Sequence, residues 1–358
     1  MTTHLEHFLS PRLFQLIYHV TYACNADCPF CIHHSYLNER KSEELSLGEL
    51  DRITSNLPVF PWLMLTGGEP FLRKNLDQVI TIFNERCKVS HVTLTTNGMY
   101  PDRVEKFIEK VFENHSKITL NIGISIDAVG KEHDRIRDTP NNYSLLTETI
   151  ERLKKIQEFF PNLSFKAHTV LSKQNAHRFD EITDEVKRLG PNLHTFDFVR
   201  ESDGNEGENL HVLGIEEIKK LLPKIHKLNS EYSGYTNLGL HSALVKKVSM
   251  KVLDHNYSLY PEFMEKKTQV IACQSPDRNL VLTPYGDIGF CELREWIGNL
   301  RDFDYNIKRL LGSGKAQTLK KSIFNKECYC FHPCYQTVNI LFSKKELFKA
   351  MISTHPES

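Results

Sequence analysis

The 358-residue sequence predicts an α/β protein: a partial (β/α)6 TIM-like barrel followed by a small cysteine-rich α+β domain. Three observations carry this reading. Apolar strand-like runs alternate with amphipathic helical stretches through the first two thirds of the chain, and such a succession implies a parallel sheet with its helices outside. The nine cysteines gather mainly towards the two ends of the chain. The chemically unusual residues fall at the carboxyl ends of the expected strands, where such sheets collect function.

Leu13–Val20 reads as the first strand. Ser46–Leu57 follows as a helix, with Ser46 as N-cap and Glu49 three residues on as its capping box. Trp62–Thr66 is a buried strand, Asn75–Cys87 a helix and His91–Thr96 a strand. Pro101–Asn114 is a helix opened by proline in its first turn, and Ile118–Ile126 a strand. Tyr143–Phe159, Ala176–Leu189 and Ile215–Leu228 read as helices, separated by strands at Ser164–Leu171 and His194–Val199. Asn279–Thr283 and Asp287–Cys291 flank the turn signature Pro284-Tyr285-Gly286-Asp287, which predicts a hairpin with Cys291 on its returning strand. Asn339–Ser353 spaces its apolar residues as one terminal amphipathic helix docked on the body. The expected organisation is an extension at 1–12, a core barrel at 13–206 and a helical connector at 207–267 that closes the barrel. A cysteine-rich domain at 268–337 and a helix with tail at 338–358 complete it.

Forty-five basic side chains balance 45 acidic ones, so composition offers no electrostatic footprint for nucleic acid or an anionic membrane. No apolar run approaches the ~20 residues that span a bilayer, and the first residues lack the apolar core of a signal peptide. A cytoplasmic protein is expected. An odd cysteine count without an export signal fits metal binding better than a disulfide framework.

Cys24, Cys28 and Cys31 are spaced C-x3-C-x2-C in the loop after the first strand. Three thiolates can hold three irons of a [4Fe–4S] cube and leave the fourth open. A zinc knuckle completed by His33 or His34 competes, because C-x2-C is also a zinc spacing. Gly67-Gly68-Glu69-Pro70 follows the second strand, Asn97-Gly98 the third, and Ser125 and Asp127 end the fourth. Taken alone, the glycine pair marks a turn that needs positive φ, and His133–Asp138 (HDRIRD) a solvated charged loop. Cys87, without a cysteine neighbour, reads as a small core residue.

Taken together, the cysteine loop with Phe30 before its last cysteine, the TGGEPFLR segment, and SIDA followed by HDRIRD resemble the radical S-adenosylmethionine superfamily over roughly residues 13–200. The resemblance implies that the open iron chelates the amino and carboxylate groups of S-adenosylmethionine and that reductive cleavage yields a 5′-deoxyadenosyl radical. It implies that Gly67, Gly68, Glu69 and Pro70 hold the methionine amino group, and that Ser125 with Arg137 or Arg135 meets the ribose and carboxylate. It places Phe30 beside the adenine with Thr169 and Asn175 near it, and counts Asn97 and Asp127 in the cofactor-binding set.

Five further cysteines, Cys273, Cys291, Cys328, Cys330 and Cys334, follow the barrel. The Gly-x4-Cys spacing from Gly286 to Cys291, the WIGNL after it and the distant cysteine group resemble the SPASM/twitch extension, which holds auxiliary [4Fe–4S] clusters. Five cysteines suffice for one cluster, and the gap of 17 residues from Cys273 to Cys291 is similar to the shortened twitch form. The closing C-x-C-x3-C departs from that form. Cys273, Cys291 and two of Cys328, Cys330 and Cys334 are the expected ligands. One thiol is left unused, structural, or free to donate a hydrogen atom.

The resemblance implies an enzyme that abstracts a hydrogen atom from a ribosomal peptide or a small natural-product intermediate. A dehydrogenase, epimerase or decarboxylase of a sugar, aminocyclitol or nucleoside is the alternative. Expected partners are a low-potential electron donor such as flavodoxin or ferredoxin and, because about a dozen residues precede the first strand, a separate leader-peptide-binding protein. The competing class is a zinc-binding, non-catalytic interaction protein, which metal content separates from the enzyme.

Overall fold

The computed structural model describes residues 12–39, 43–200, 211–232 and 243–353. The expected extension up to residue 11, the junction at 206/207 and the last five residues lie outside them.

Six parallel strands form in sequence order: β1 Gln15–Thr21, β2 Trp62–Gly67, β3 His91–Thr96, β4 Thr119–Ser125, β5 Leu163–Leu171 and β6 Leu193–Phe198. Between them lie helices α1 Leu47–Thr54, α2 Leu76–Cys87, α3 Pro101–Asn114, α4 Lys131–Ile136, α5 Asn142–Gln157 and α6 Phe179–Leu189. Local chemistry explains the starts. Ser46 Oγ accepts the Glu49 N–H at 3.3 Å while the Glu49 carboxylate accepts the Ser46 N–H at 2.9 Å, so the expected capping box forms. Proline stands in the first turn of α3. Between sheet and helices lies one apolar core, built by residues such as Leu63, Val92, Leu120 and Phe165 against Ile80, Phe83, Ile108 and Leu153. Cys87 is fully buried within it, as a small apolar residue should be.

The C-terminal unit is not detached from this sheet. Strand β7, Asn279–Leu282, pairs parallel with the outer side of β1, in register Gln15↔Asn279 to Tyr18↔Leu282. β8, Asp287–Gly289, and β9, Gly298–Asn299, continue antiparallel, giving nine strands in the order β6-β5-β4-β3-β2-β1-β7-β8-β9. The expected hairpin is there, but its returning strand stops at Gly289, where the Trp296 ring packs closely over the α-carbon, and Cys291 lies two residues beyond it.

Two long helices follow the barrel, α7 Ile215–Glu231 and α8 Ala243–Lys266. Tyr257 on α8 pins this layer to β6: its hydroxyl accepts the Phe196 N–H at 2.7 Å. The C-terminal unit adds α9 Ser275–Arg278, α10 Ile307–Leu311, α11 Gly314–Phe324, α12 Pro333–Leu341 and α13 Lys344–Ile352. The single terminal helix expected over Asn339–Ser353 is thus two. Ser343 ends the first, its N–H donating to the Ile340 carbonyl, and caps the second by accepting the Glu346 N–H at 3.3 Å. No described helix is long and apolar enough to cross a membrane.

Candidate functional site

A cavity of about 360 Å³ opens at the carboxyl ends of the strands, closed on its far side by α8 and α12. Its entrance motif is built on β1. The β1–β2 register shifts between His19 and Thr21, an irregularity that ends the strand and releases the loop carrying Cys24, Cys28 and Cys31. Short-range bonds fold that loop on itself. Cys24 N–H donates to Asn38 Oδ1 at 3.0 Å, Cys31 N–H to the Cys28 carbonyl at 3.0 Å and His34 N–H to the Cys31 carbonyl at 3.0 Å. All three cysteines line the cavity. Burial pushes the Cys24 thiol up to about 11 and the Cys31 thiol up to about 12, and it raises Cys28 as well. Such thiols stay protonated until a metal takes the proton's place.

The glycine pair is there because the backbone comes too close for a side chain. Gly67 has φ +128°, and a Cβ on Gly68 would lie 2.1 Å from the Ala23 carbonyl oxygen. Gly68 N–H donates to the Thr21 carbonyl at 2.8 Å and Glu69 N–H to the Ala23 carbonyl at 2.9 Å, which locks the turn onto the cysteine loop. Glu69 is buried and lines the cavity. Its Oε1 accepts from Phe71 N at 3.0 Å and Thr96 Oγ1 at 2.7 Å, and its Oε2 from Asn97 N at 2.8 Å. A carboxylate offers about four acceptor positions, so Oε2 keeps one for a cation. Burial raises the Glu69 pKa, although these three bonds oppose it.

Phe30, Gly67, Gly68, Asn97, Ser125 and Arg137 also line the cavity. Arg137 Nη1 donates to Asp127 Oδ2 at 2.6 Å, and although burial works against it, Cys28 and Asp127 hold the guanidinium in its charged form. Arg135 instead pairs with Glu132 on the surface, so of these two arginines Arg137 is the one that lines the cavity. Pro70, Asp127 and Thr169 do not line the cavity, nor does Asn175. On β5 the side chains alternate: Lys166, His168 and Val170 face the cavity, so Thr169, between them, belongs to the opposite face. There its hydroxyl bonds the Ile126 carbonyl and the His194 ring. Asp127 is a positioning residue, accepting from Val170 N at 2.8 Å as well as from Arg137. Asn175 braces the same turn by donating to the Asp127 and Val170 carbonyls, each at 2.9 Å.

The donor spread distinguishes a cluster from a single ion. Sulfurs around one zinc at ~2.3 Å bonds sit about 3.8 Å apart. Among the described residues only His19, His33 and Glu292 bring three ligand atoms within 4.8 Å of one another, and no set of cysteines does. Three thiols on one cavity wall can hold three irons of a [4Fe–4S] cube. His34, the other zinc candidate, pairs with Asp27 at 3.1 Å instead.

Cys273, Cys291, Cys328 and Cys330 line a second, smaller pocket. Burial pushes the Cys273 thiol up to about 12 and raises Cys291 and Cys330 too. Amide N–H groups already aim at the sulfurs: Gln336 Nε2 lies 3.7 Å from Cys330 Sγ and Gln269 Nε2 3.8 Å from Cys328 Sγ. Cys334, grouped with these ligands by its spacing, does not line that pocket. Pro333 starts α12 behind the His332 N-cap, and the helix then carries Cys334, Thr337 and Leu341 along one face into the main cavity.

Several cavity residues had not been singled out from the sequence. Glu292, next to Cys291, accepts from His19 Nε2 at 2.7 Å and from His332 Nε2 at 3.3 Å. Burial would raise its pKa, but those two histidines hold it well below the carboxylate range. Lys166, His168, Asp197 and Arg200 complete the polar wall. The signal for the first two was the polar parity of β5; for Glu292 it was adjacency to a ligand.

Residues 18–192 match the model of the Radical SAM superfamily. The GTP 3′,8-cyclase of Staphylococcus carnosus is 28% identical over 176 residues, 47% of this chain and 48% of the relative. That of Helicobacter pylori is 30% identical over 172 residues, 46% of this chain and 48% of the relative. The chain thus spans about half the length of the curated relatives it matches. The fold is that of anSMEcpe with bound AdoMet (TM-score 0.62, 17% identity, 95% of this chain and 96% of that one). Streptococcus suis SuiB bound to S-adenosylmethionine is also similar (TM-score 0.57, 14% identity, 89% and 70%).

Proposed function

The chain belongs, through residues 18–192, to the radical SAM superfamily, and from that premise we propose that it abstracts a hydrogen atom from a substrate bound beneath α8 and α12. It is a radical SAM enzyme, and its cofactors are a [4Fe–4S] cluster and S-adenosylmethionine. A cluster held there would supply the one electron needed to cleave S-adenosylmethionine into methionine and a 5′-deoxyadenosyl radical. The chain's own residues do the rest. Cys24, Cys28 and Cys31 would hold the cluster. Glu69, with one acceptor position spare, would orient the methionine ammonium, and Arg137 the carboxylate, while Phe30 would cover the adenine.

The observation that carries this reading is that the three thiols, Glu69, Ser125 and Arg137 share one cavity although they come from four separate segments. Cys273, Cys291, Cys328 and Cys330 would hold one auxiliary [4Fe–4S] cluster, supported by their common pocket and by amide donors aimed at two of the sulfurs. A low-potential flavodoxin or ferredoxin would supply electrons. Glu292, which His19 and His332 hold ionised, contributes a fixed negative charge to the cavity wall.

For the substrate, we favour a peptide side chain or a small natural-product intermediate, since S-adenosylmethionine must share the cavity of about 360 Å³ with it. The fold neighbours include anSMEcpe with bound Cp18Cys peptide and SuiB bound to precursor peptide SuiA, which favours the peptide. The test is anaerobic reconstitution followed by reduction with S-adenosylmethionine present. About eight irons per chain and release of 5′-deoxyadenosine are expected. Cys24→Ala, Cys28→Ala and Cys31→Ala should each abolish that release. Stoichiometric zinc, or normal release from any of these variants, would refute the assignment.

A further inference from the structure

We infer that His19, His33 and Glu292 form a binding site for one divalent metal ion of the zinc class, separate from both cysteine groups. Each offers one ligand atom, and the three atoms lie within 4.8 Å of one another. They arrive from distant parts of the chain: His19 from the end of β1, His33 from the loop beyond Cys31, and Glu292 from the turn after β8. The rings of His19 and His33 stand 4.5 Å apart between centroids, and His19 Nε2 lies 2.7 Å from Glu292 Oε1. All three side chains are more than nine-tenths buried.

Two imidazoles and a carboxylate are the donor set of three-ligand zinc sites, which keep a further position open. Neighbours already hold the outer atoms and leave the inner ones to a metal, as the partners of metal ligands do. The Tyr22 hydroxyl lies 3.2 Å from His19 Nδ1, so Nε2 is the nitrogen that faces Glu292. His332 Nδ1 accepts the Cys334 N–H at 3.3 Å, which puts the ring proton on Nε2, 3.3 Å from Glu292 Oε2. The Tyr335 hydroxyl stands 3.4 Å from the same oxygen. His332 thus orients the carboxylate, and Oε1 is left to the metal. A carboxylate this deep is paired or coordinates a metal, and among the described residues no lysine or arginine pairs with this one. Metal entry would release the proton shared by His19 Nε2 and Glu292 Oε1. His33 and Glu292 line the main cavity, whereas His19 does not. The open position would therefore take an oxygen donor from the cavity, a carbonyl or carboxylate of the substrate, which rests on the reading of that cavity as the substrate site.

The probe is zinc chloride, added in slight excess to the anaerobically reconstituted full chain after its iron has reached about eight per chain, so that the cluster thiols are engaged. Unbound metal is removed by gel filtration, and zinc and iron are counted on the same sample. About one zinc per chain is expected in addition to the iron, whereas zinc in place of iron is the result that refutes the cluster assignment. X-ray absorption at the zinc edge should show nitrogen and oxygen neighbours at about 2.0–2.2 Å, with the scattering pattern of imidazole and no sulfur near 2.3 Å. That spectrum is read on the native chain, so a variant that fails to fold does not decide the matter. Glu292→Gln keeps the shape and removes the charge, and His33→Ala removes a ligand; each should lower the retained zinc at least tenfold. Cys334→Ser should retain it. Absence of retained zinc, sulfur in its first shell, loss in Cys334→Ser, or undiminished zinc in Glu292→Gln or His33→Ala overturns the proposal. A native chain that takes up zinc through nitrogen and oxygen but reconstitutes no iron overturns the cluster reading and leaves this site standing.

Discussion

Substituting Gly68 tests the claim that the glycine turn exists to let two backbones touch. A Cβ at Gly68 would sit 2.1 Å from the Ala23 carbonyl oxygen and 2.7 Å from its carbon, against the roughly 3.0 Å that such contacts respect, so something must move by about 0.9 Å. The obstacle is backbone and cannot swing aside as a side chain would. Overpacking of this kind costs about 1–3 kcal/mol. The Ala23 carbonyl also accepts the Glu69 N–H at 2.9 Å, and losing that bond adds about 1 kcal/mol. Gly68→Ala should therefore destabilise the chain by about 3 kcal/mol and displace Cys24, lowering both the iron retained at the barrel site and the affinity for S-adenosylmethionine. Gly48→Ala is the matched control. Nothing lies within 4 Å of its added Cβ, and it stands inside α1, where alanine is favoured by about 1 kcal/mol. Urea denaturation and iron analysis of both variants read the difference. A Gly68→Ala chain with native stability, full iron and native cofactor affinity would show that the close approach does not shape the site.

The pH dependence of folding should carry a signature of Glu49, which joins α1 to the C-terminal unit through Arg301 at 2.7 Å and Tyr305 at 3.0 Å. Burial opposes the shift, but hydrogen bonds from Arg301, Ser46 and Tyr305 lower the Glu49 carboxyl from 4.5 to about 2. A depressed folded pKa stabilises above the unfolded value and is lost as pH falls through the folded one. Glu49→Gln should thus cost about 1–2 kcal/mol at pH 7, and its denaturation curve should approach the native one as pH drops from about 4.5 towards 2. A gap that persists at pH 2 would refute that account. Thr169→Val should lower stability by about 1 kcal/mol, since the Ile126 carbonyl loses its donor, yet leave S-adenosylmethionine affinity within twofold in a calorimetric titration. A large loss of affinity would return Thr169 to the cavity wall.

What could be read in advance was what depends on short stretches of chain. The cysteine loop and the glycine turn are each a few residues long, and their place at strand ends follows from the alternation of strands and helices. The side of a strand that faces the cavity was harder to read. β5 offers Lys166 and His168 on one parity and Thr169 on the other, and the polar parity proved to be the inner one because α8 and α12 enclose it. Glu292 escaped notice because its partner His19 is 273 residues away in sequence. Spacing alone could not separate Cys334 from Cys328 and Cys330, because the difference is made by the direction in which α12 departs after His332.

The parallel ladder from Gln15↔Asn279 to Tyr18↔Leu282 bears on how the chain can be divided. β1 is an interior strand whose seven residues are all buried, with β2 on one side and β7, supplied from more than 250 residues downstream, on the other. A fragment ending at the barrel would bare a row of unpaired amide and carbonyl groups on an apolar strand, a template for edge-to-edge association. Truncation before β7 should therefore yield aggregates in place of a smaller working enzyme. The strand that leads into the first cysteine loop is completed only by pairing with a segment more than 250 residues downstream, which ties assembly of the two thiol groups to one long-range step of folding.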